Sequence, residues 1–182
     1  MPVTAEHIAA TLAAYVRTHP SEASGLAPAS SLILSGADIT SRKETGGHVT
    51  AGAVLTDEAG RVLFIRHRAL GTWLLPGGHL EPADTTLLQA ALRELTEETG
   101  IPPEYIHPTL NEPVHIDLHP IPASPAKGEP DHQHIDFRFL FSTTTSHTNI
   151  QHDEITDAAW REVTSITNPS LRSRLSILNH PE

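Results

Sequence analysis

Hydrophobic and polar positions change period several times along the chain, and each change marks an element. Ile8, Leu12 and Tyr15 recur on one helical face between Thr4 and His19, and SEASGLAPASSLILSG reads as a second, weaker helix. The polar stretch ADITSRKETGG ends in Gly46-Gly47 and reads as a linker, so residues 1–45 are expected to form a helical extension and residues 46–182 the main domain. HVTAGAVLT and RVLFIRHR are strand patterns joined by DEAG, and TWLL is a short third strand ending at Pro76. Thr86 followed by Gln89 has the form of a capping box, with Asp84 a rival N-cap, and Gly100-Ile101-Pro102 is a stop. A helix is therefore predicted over Thr86 to Thr99. Beyond it, VHIDLH and HQHIDFRFLF flank the proline-rich PIPASPAKGEPD, and a strand AAWREV precedes a last helix after Asn168-Pro169.

Within the predicted helix, Leu88, Ala91, Leu92 and Leu95 have the spacing of a buried stripe. Glu94, Glu97 and Glu98, at i, i+3 and i+4, share a face centred roughly 120° away. Like charges so placed destabilise a helix unless a cation joins them. Oxygen ligands without sulfur favour Mg²⁺ or Mn²⁺, which keep several waters and bind phosphates. The plain alternative is a solvated acidic face.

Charge and composition narrow the partners. The 182 residues carry a formal net charge of -10, with no basic run longer than Arg42-Lys43, so the electrostatic footprint of a nucleic-acid binder is missing. The chain has no cysteine, which excludes disulfides, zinc–thiolate sites and thiol nucleophiles. No apolar run approaches a membrane span, and a cytoplasmic protein without a membrane partner is expected.

GG at Gly77-Gly78, RELTEETGI at Arg93 to Ile101 and the separation between them resemble the signature of the Nudix hydrolases, G-x5-E-x7-R-E-U-x-E-E-x-G-U with U aliphatic. The likeness spans roughly residues 46 to 166. It departs from the pattern at the first Glu: the segment holds one extra residue, and Asp84 or Thr85 stands there, with Asp84 or Glu81 as its replacement. The resemblance implies an α/β/α sandwich with a mixed sheet and a hydrolase that cleaves a nucleoside diphosphate linked to another group, with Mg²⁺ or Mn²⁺ as cofactor. It also implies Glu94, Glu97, Glu98 and the Gly78 carbonyl as metal ligands, Glu97 or Glu98 in catalysis, and Arg93 as a residue that orients a carboxylate. Glu129, Asp131, Asp153 and Glu154 are candidates for the general base. The rival reading is a non-catalytic binding module that keeps the fold and senses a nucleotide metabolite. In both, the partner is a small nucleotide; residues 1–45 would cover the site, form a homodimer contact or only pack.

A second constellation lies outside the signature. In VHIDLH and HQHIDFRFLF, His115, Asp117 and His119 alternate with apolar residues, as do His132, His134, Asp136 and Arg138. If the strands pair, these residues form one polar wall. That wall is expected either to line the substrate pocket, with Arg138 on a phosphate, or to face water. A second metal site built from its histidines would also need fixed tautomers and outer partners. Trp73 either stacks on a base or packs, Arg66, His67 and Arg68 offer positive charge near the glycines, Trp160 is expected in the core, and Lys127 marks the loop expected to choose the substrate.

Overall fold

A computed structural model of the chain describes residues 1–124, 128–145, 148–150 and 154–179. Two helices lead, α1 (Ala5–Thr18) and α2 (Ala23–Leu34). Then come β1 (His48–Thr56), β2 (Val62–His67), β3 (Trp73–Leu74), β4 (Gly77–His79) and α3 (Leu87–Thr99). β5 (His107–Pro108), β6 (His115–Ile121), β7 (His132–Ser142), β8 (Ile155–Arg161) and α4 (Pro169–Asn179) complete the chain. Among the described residues, no helix is long and apolar enough to cross a membrane.

All eight strands join one mixed sheet. Its axis is β1, which runs parallel to β7 from His48↔His134 to Thr56↔Ser142 and antiparallel to β2 and β4 on its other side. β1 is buried along its whole length, because both faces of this central strand are covered. On one face, Ala51, Ala53 and Leu55 of β1 and Phe137, Phe139 and Phe141 of β7 meet Leu87, Ala91 and Leu95 of α3, together with Ile8, Leu12 and Tyr15 of α1 and Leu26, Ala29 and Ile33 of α2. On the other, Val54, Phe64 and Leu140 pack on Leu171 and Leu175 of α4. The expected α/β/α layering and mixed sheet are the observed ones, and residues from the first helices share the main core.

Several local expectations need correction. The fully buried stripe of α3 is Leu87, Ala90, Ala91 and Leu95; Leu88 and Leu92 lie at its margin, only partly buried. Thr86 caps α3 as expected, accepting from Gln89 N–H, but Gln89 Oε1 takes the N–H and hydroxyl of Thr85 instead of closing the box on Thr86. Gly100, in the left-handed conformation at φ 67, ends the helix. The strand from TWLL shrinks to two residues, while Gly77-Gly78-His79, between that strand and the predicted helix, pairs with β1 as β4. The strand around AAWREV starts earlier, at Ile155, because it zips along β2.

Candidate functional site

β4 fixes the site. Its register is Thr50↔His79, Ala51↔Gly78 and Gly52↔Gly77. By alternation, Gly78 faces α3 with Ala51, and His79 faces the opposite side with Thr50. A β-carbon at Gly78 would stand 2.6 Å from Glu94 Oε1, so only glycine lets α3 lay that carboxylate against the strand. One turn on, Glu98 accepts the Gly77 N–H at 2.9 Å.

Arg93 organises what surrounds these carboxylates. It donates from Nε and Nη2 to both oxygens of Asp84, each at 3.0 Å, from Nη2 to the His79 carbonyl at 2.9 Å, and from Nη1 to Glu94 at 3.1 Å and Glu97 at 2.9 Å. Asp84 is almost wholly buried and also accepts the Glu81 N–H, whereas Glu81 stays 3.9 Å from Arg93. Of the two residues offered for the displaced signature Glu, the structure puts Asp84 on the arginine. The hydrogen bonding to Asp84 is the first cause raising the Arg93 guanidinium above its ordinary value.

Burial pushes Glu94 up to about 7, against the pull of Arg93. It pushes Glu98 up to about 8; the Gly77 N–H opposes this, while Glu94, Glu154 and Glu97 add to it. Two carboxylates that resist ionisation beside a glycine strand fit a hard divalent cation, whose charge would reverse the penalty. Glu97, its side chain half exposed, sits at the rim in contact with Arg93. Of the residues considered for the general base, Glu154 lies near enough for its charge to act on Glu98. Glu129 is bonded to Arg42 at 3.0 Å, Asp131 accepts the Ala123 N–H, and Asp153 lies outside the described residues, as does Lys127.

The polar wall forms as its alternation predicts. β6 and β7 are antiparallel with His115↔Arg138, Asp117↔Asp136 and His119↔His134. It is no open face: His48, His115 and Asp136 are buried, and the others are partly covered. Arg138, expected on a phosphate, has its Nε on Asp136 at 2.6 Å; burial opposes its charge and Asp136 sustains it. Trp73 packs against the smaller core with the Arg161 guanidinium 4.0 Å from its ring centroid. Arg66, opposite Trp73 in the β2–β3 register, is exposed. His67 Nδ1 accepts the Leu70 N–H, and Trp160 lies partly buried against the main core.

Two histidines absent from the sequence-derived wall belong to it, His48 on β1 and His79 on β4. Parallel pairing of β1 with β7 sets His48 opposite His134, and β4 adds His79 from the other side. The ring centroids of His48 lie 5.0 Å from His79, 4.7 Å from His134 and 4.9 Å from His132. Burial drives His79 down to about 4 and His134 down to about 3. The sequence carried a faint signal for both: a histidine at each end of the glycine-flanked strand pair.

The NUDIX domain family model matches residues 46–177. A probable DHNTP pyrophosphohydrolase of Lactococcus lactis subsp. cremoris is 36% identical over 90 residues, covering 50% of this chain and 51% of that protein. Phosphatase NudJ of Escherichia coli K12 is 50% identical over 56 residues, 30% of this chain and 35% of its own. The chain thus spans about half the length of the first relative and about a third of the second. Among solved structures, a NUDIX-family hydrolase from Clostridium perfringens aligns with a TM-score of 0.54 at 22% identity, over 72% of this chain and 97% of its own. The E. coli dihydroneopterin triphosphate pyrophosphohydrolase gives 0.53 at 19%, over 72% and 96%.

Proposed function

Because the chain belongs to the NUDIX family, we propose that it is a metal-dependent pyrophosphohydrolase that cleaves the diphosphate linkage of a nucleoside diphosphate joined to another group. The observation that carries this reading is the pair Glu94, partly buried, and Glu98, buried, set against Gly77 and Gly78 and pushed toward the protonated form. In this reading Glu94, Glu98, Glu97 and the Gly78 carbonyl hold Mg²⁺ or Mn²⁺. When bound, the ion neutralises diphosphate charge and lowers the pKa of water.

The chain's own groups do the rest. Arg93, through Asp84 and the His79 carbonyl, fixes the helix face to β4 so that Glu94 and Glu97 keep their places. Glu154 is proposed as the general base that takes a proton from the attacking water as its oxygen bonds to phosphorus and the bridging P–O bond breaks. Arg66 is proposed to contact phosphate from the end of β2.

Product release from NDP-sugars, ADP-ribose, dinucleoside polyphosphates, NADH, NTPs and dihydroneopterin triphosphate, with Mg²⁺ or Mn²⁺, tests the reading; the last is included for the Lactococcus relative. Metal-dependent turnover that disappears in Glu98→Gln supports it. Silence across the panel, with one nucleotide still raising Tm, would leave the binding module instead.

A further inference from the structure

We propose that His48, His79 and His134 form a second metal site, for Zn²⁺ or a similar borderline transition ion, on the sheet face opposite the carboxylates. One ring nitrogen from each lies within 4.8 Å of those of the other two. In a tetrahedral zinc site, nitrogens at ~2.0–2.1 Å from the metal are ~3.3 Å apart, so small χ rotations close the triad. The three rings come from three adjacent strands, β4, β1 and β7.

Proton bookkeeping on the rings supplies the independent observation. His48 Nδ1 lies 3.4 Å from the Glu44 carbonyl, which can only accept, so Nδ1 carries the hydrogen and the lone pair is on Nε2. That Nε2 is buried and has no hydrogen-bond partner among the described residues. His48 itself is 2% exposed. A lone pair in this position is costly to leave unmatched, and a metal ion matches it.

His132 behaves the same way: its Nδ1 donates to the Pro130 carbonyl at 2.8 Å, which leaves Nε2 as an acceptor. His134 Nε2 is 3.2 Å from His132 Nε2, so His134 must be the donor in that pair, and its lone pair is left on Nδ1. A chain therefore runs from Pro130 through His132 to His134 and leaves one nitrogen of the His134 ring unprotonated. Backbone carbonyls, carboxylates or other acceptors behind a ring are the usual outer partners of metal-binding histidines. His119, with Nδ1 held 3.1 Å from Asp117 Oδ2, flanks His134 at a ring-centroid distance of 5.8 Å.

Imidazole nitrogens without thiolate or carboxylate suit Zn²⁺, Co²⁺ or Ni²⁺ and not Mg²⁺. His79 and His134 are only partly buried, which leaves the ion a way in. Tying His79 to the two neighbouring strands would pin β4, and with it Gly77 and Gly78 on the carboxylate side. The ion is thus assigned as a clamp, distinct from the ion of the proposed hydrolase.

The test uses the full chain and Zn²⁺ or Co²⁺ alone, without nucleotide. One equivalent of Zn²⁺ is expected to be retained through gel filtration by the wild type and by Glu98→Gln, and lost in the double variant His79→Gln/His134→Ala. The Co²⁺ form should show the strong visible absorption of a tetrahedral nitrogen site. Should the double variant not fold, imidazole ¹⁵N shifts of the wild type decide: His48, His79 and His134 are expected to move together on adding Zn²⁺. No retained Zn²⁺, retention lost in Glu98→Gln but kept in the double variant, or shifts confined to other histidines would overturn the site. Because no outcome depends on turnover, failure here leaves the hydrolase reading intact, and the reverse also holds.

Discussion

The carboxylate pocket and the histidine cluster lie on opposite faces of the same three-residue strand, and burial acts on them with opposite sign. Glu94 and Glu98 are drawn toward holding protons at neutral pH, up to about 7 and about 8. His79 and His134 are drawn toward losing theirs, down to about 4 and about 3. Desolvation penalises charge of either sign, so it makes an acid weaker on one face and a base weaker on the other. Each face lacks something different. The carboxylates lack positive charge, whereas the neutral rings carry lone pairs in need of a hydrogen-bond donor or a metal ion.

The comparison can be broken most forcefully at Glu98. Glu98→Gln keeps the bond from Gly77 N–H but removes the charge, and kcat is expected to fall by roughly three orders of magnitude. Steady-state kinetics on the substrate found by the panel measure this; activity within about twofold of wild type would refute the pocket. Glu154→Gln comes next. Loss of about a hundredfold in kcat, with the acid limb of the pH–rate profile displaced, is expected of a base. An unchanged profile would reduce Glu154 to a neighbour that merely perturbs Glu98.

Asp84→Ala removes the whole bidentate pair from the partly buried Arg93 and should cost roughly 2–3 kcal/mol in urea unfolding, with kcat also lowered. Wild-type stability in this variant would mean that Glu81 swings in from 3.9 Å to take over.

The smallest effect is a shape. In the metal-free protein, carboxylates with raised folded-state pKa favour folding while they can hold the extra proton, so their contribution declines as pH rises from 4.5 to about 8. Histidines with depressed values contribute fully above 6.5 and lose that contribution as pH falls toward about 4 and then about 3. The two trends oppose each other between 4.5 and 6.5. Unfolding followed in chelator should therefore show a broad maximum there and a decline on each side, and added Mg²⁺ should remove the alkaline decline. A curve still rising between pH 7 and 8 would contradict the direction given for Glu98.

Much of this was legible before any coordinates. Helix spacing gave α1 and α3, Thr86 and Gly100 their ends, and period-two alternation the pairing of β6 with β7. What stayed hidden required long-range pairing. β4 has no side-chain pattern at Gly77-Gly78, since its strand character comes from lying against β1. His48 and His79 look like isolated residues 31 positions apart in the chain, and only the parallel β1–β7 register and the antiparallel β1–β4 register bring them beside His134. The bond between Asp84 and Arg93 was visible only as an irregular spacing.

At the C-terminal helix, Arg174 of α4 donates to Glu22 at 2.7 Å and to the Tyr15 hydroxyl at 2.7 Å, while Tyr15 donates to Glu22 at 2.6 Å. Glu22 and Arg174 are separated by 152 positions. Translation runs in one direction, so the ribosome makes Glu22 long before its arginine. A chain halted before α4 would present Tyr15 and Glu22 without the guanidinium that ties them to the far end of the sequence.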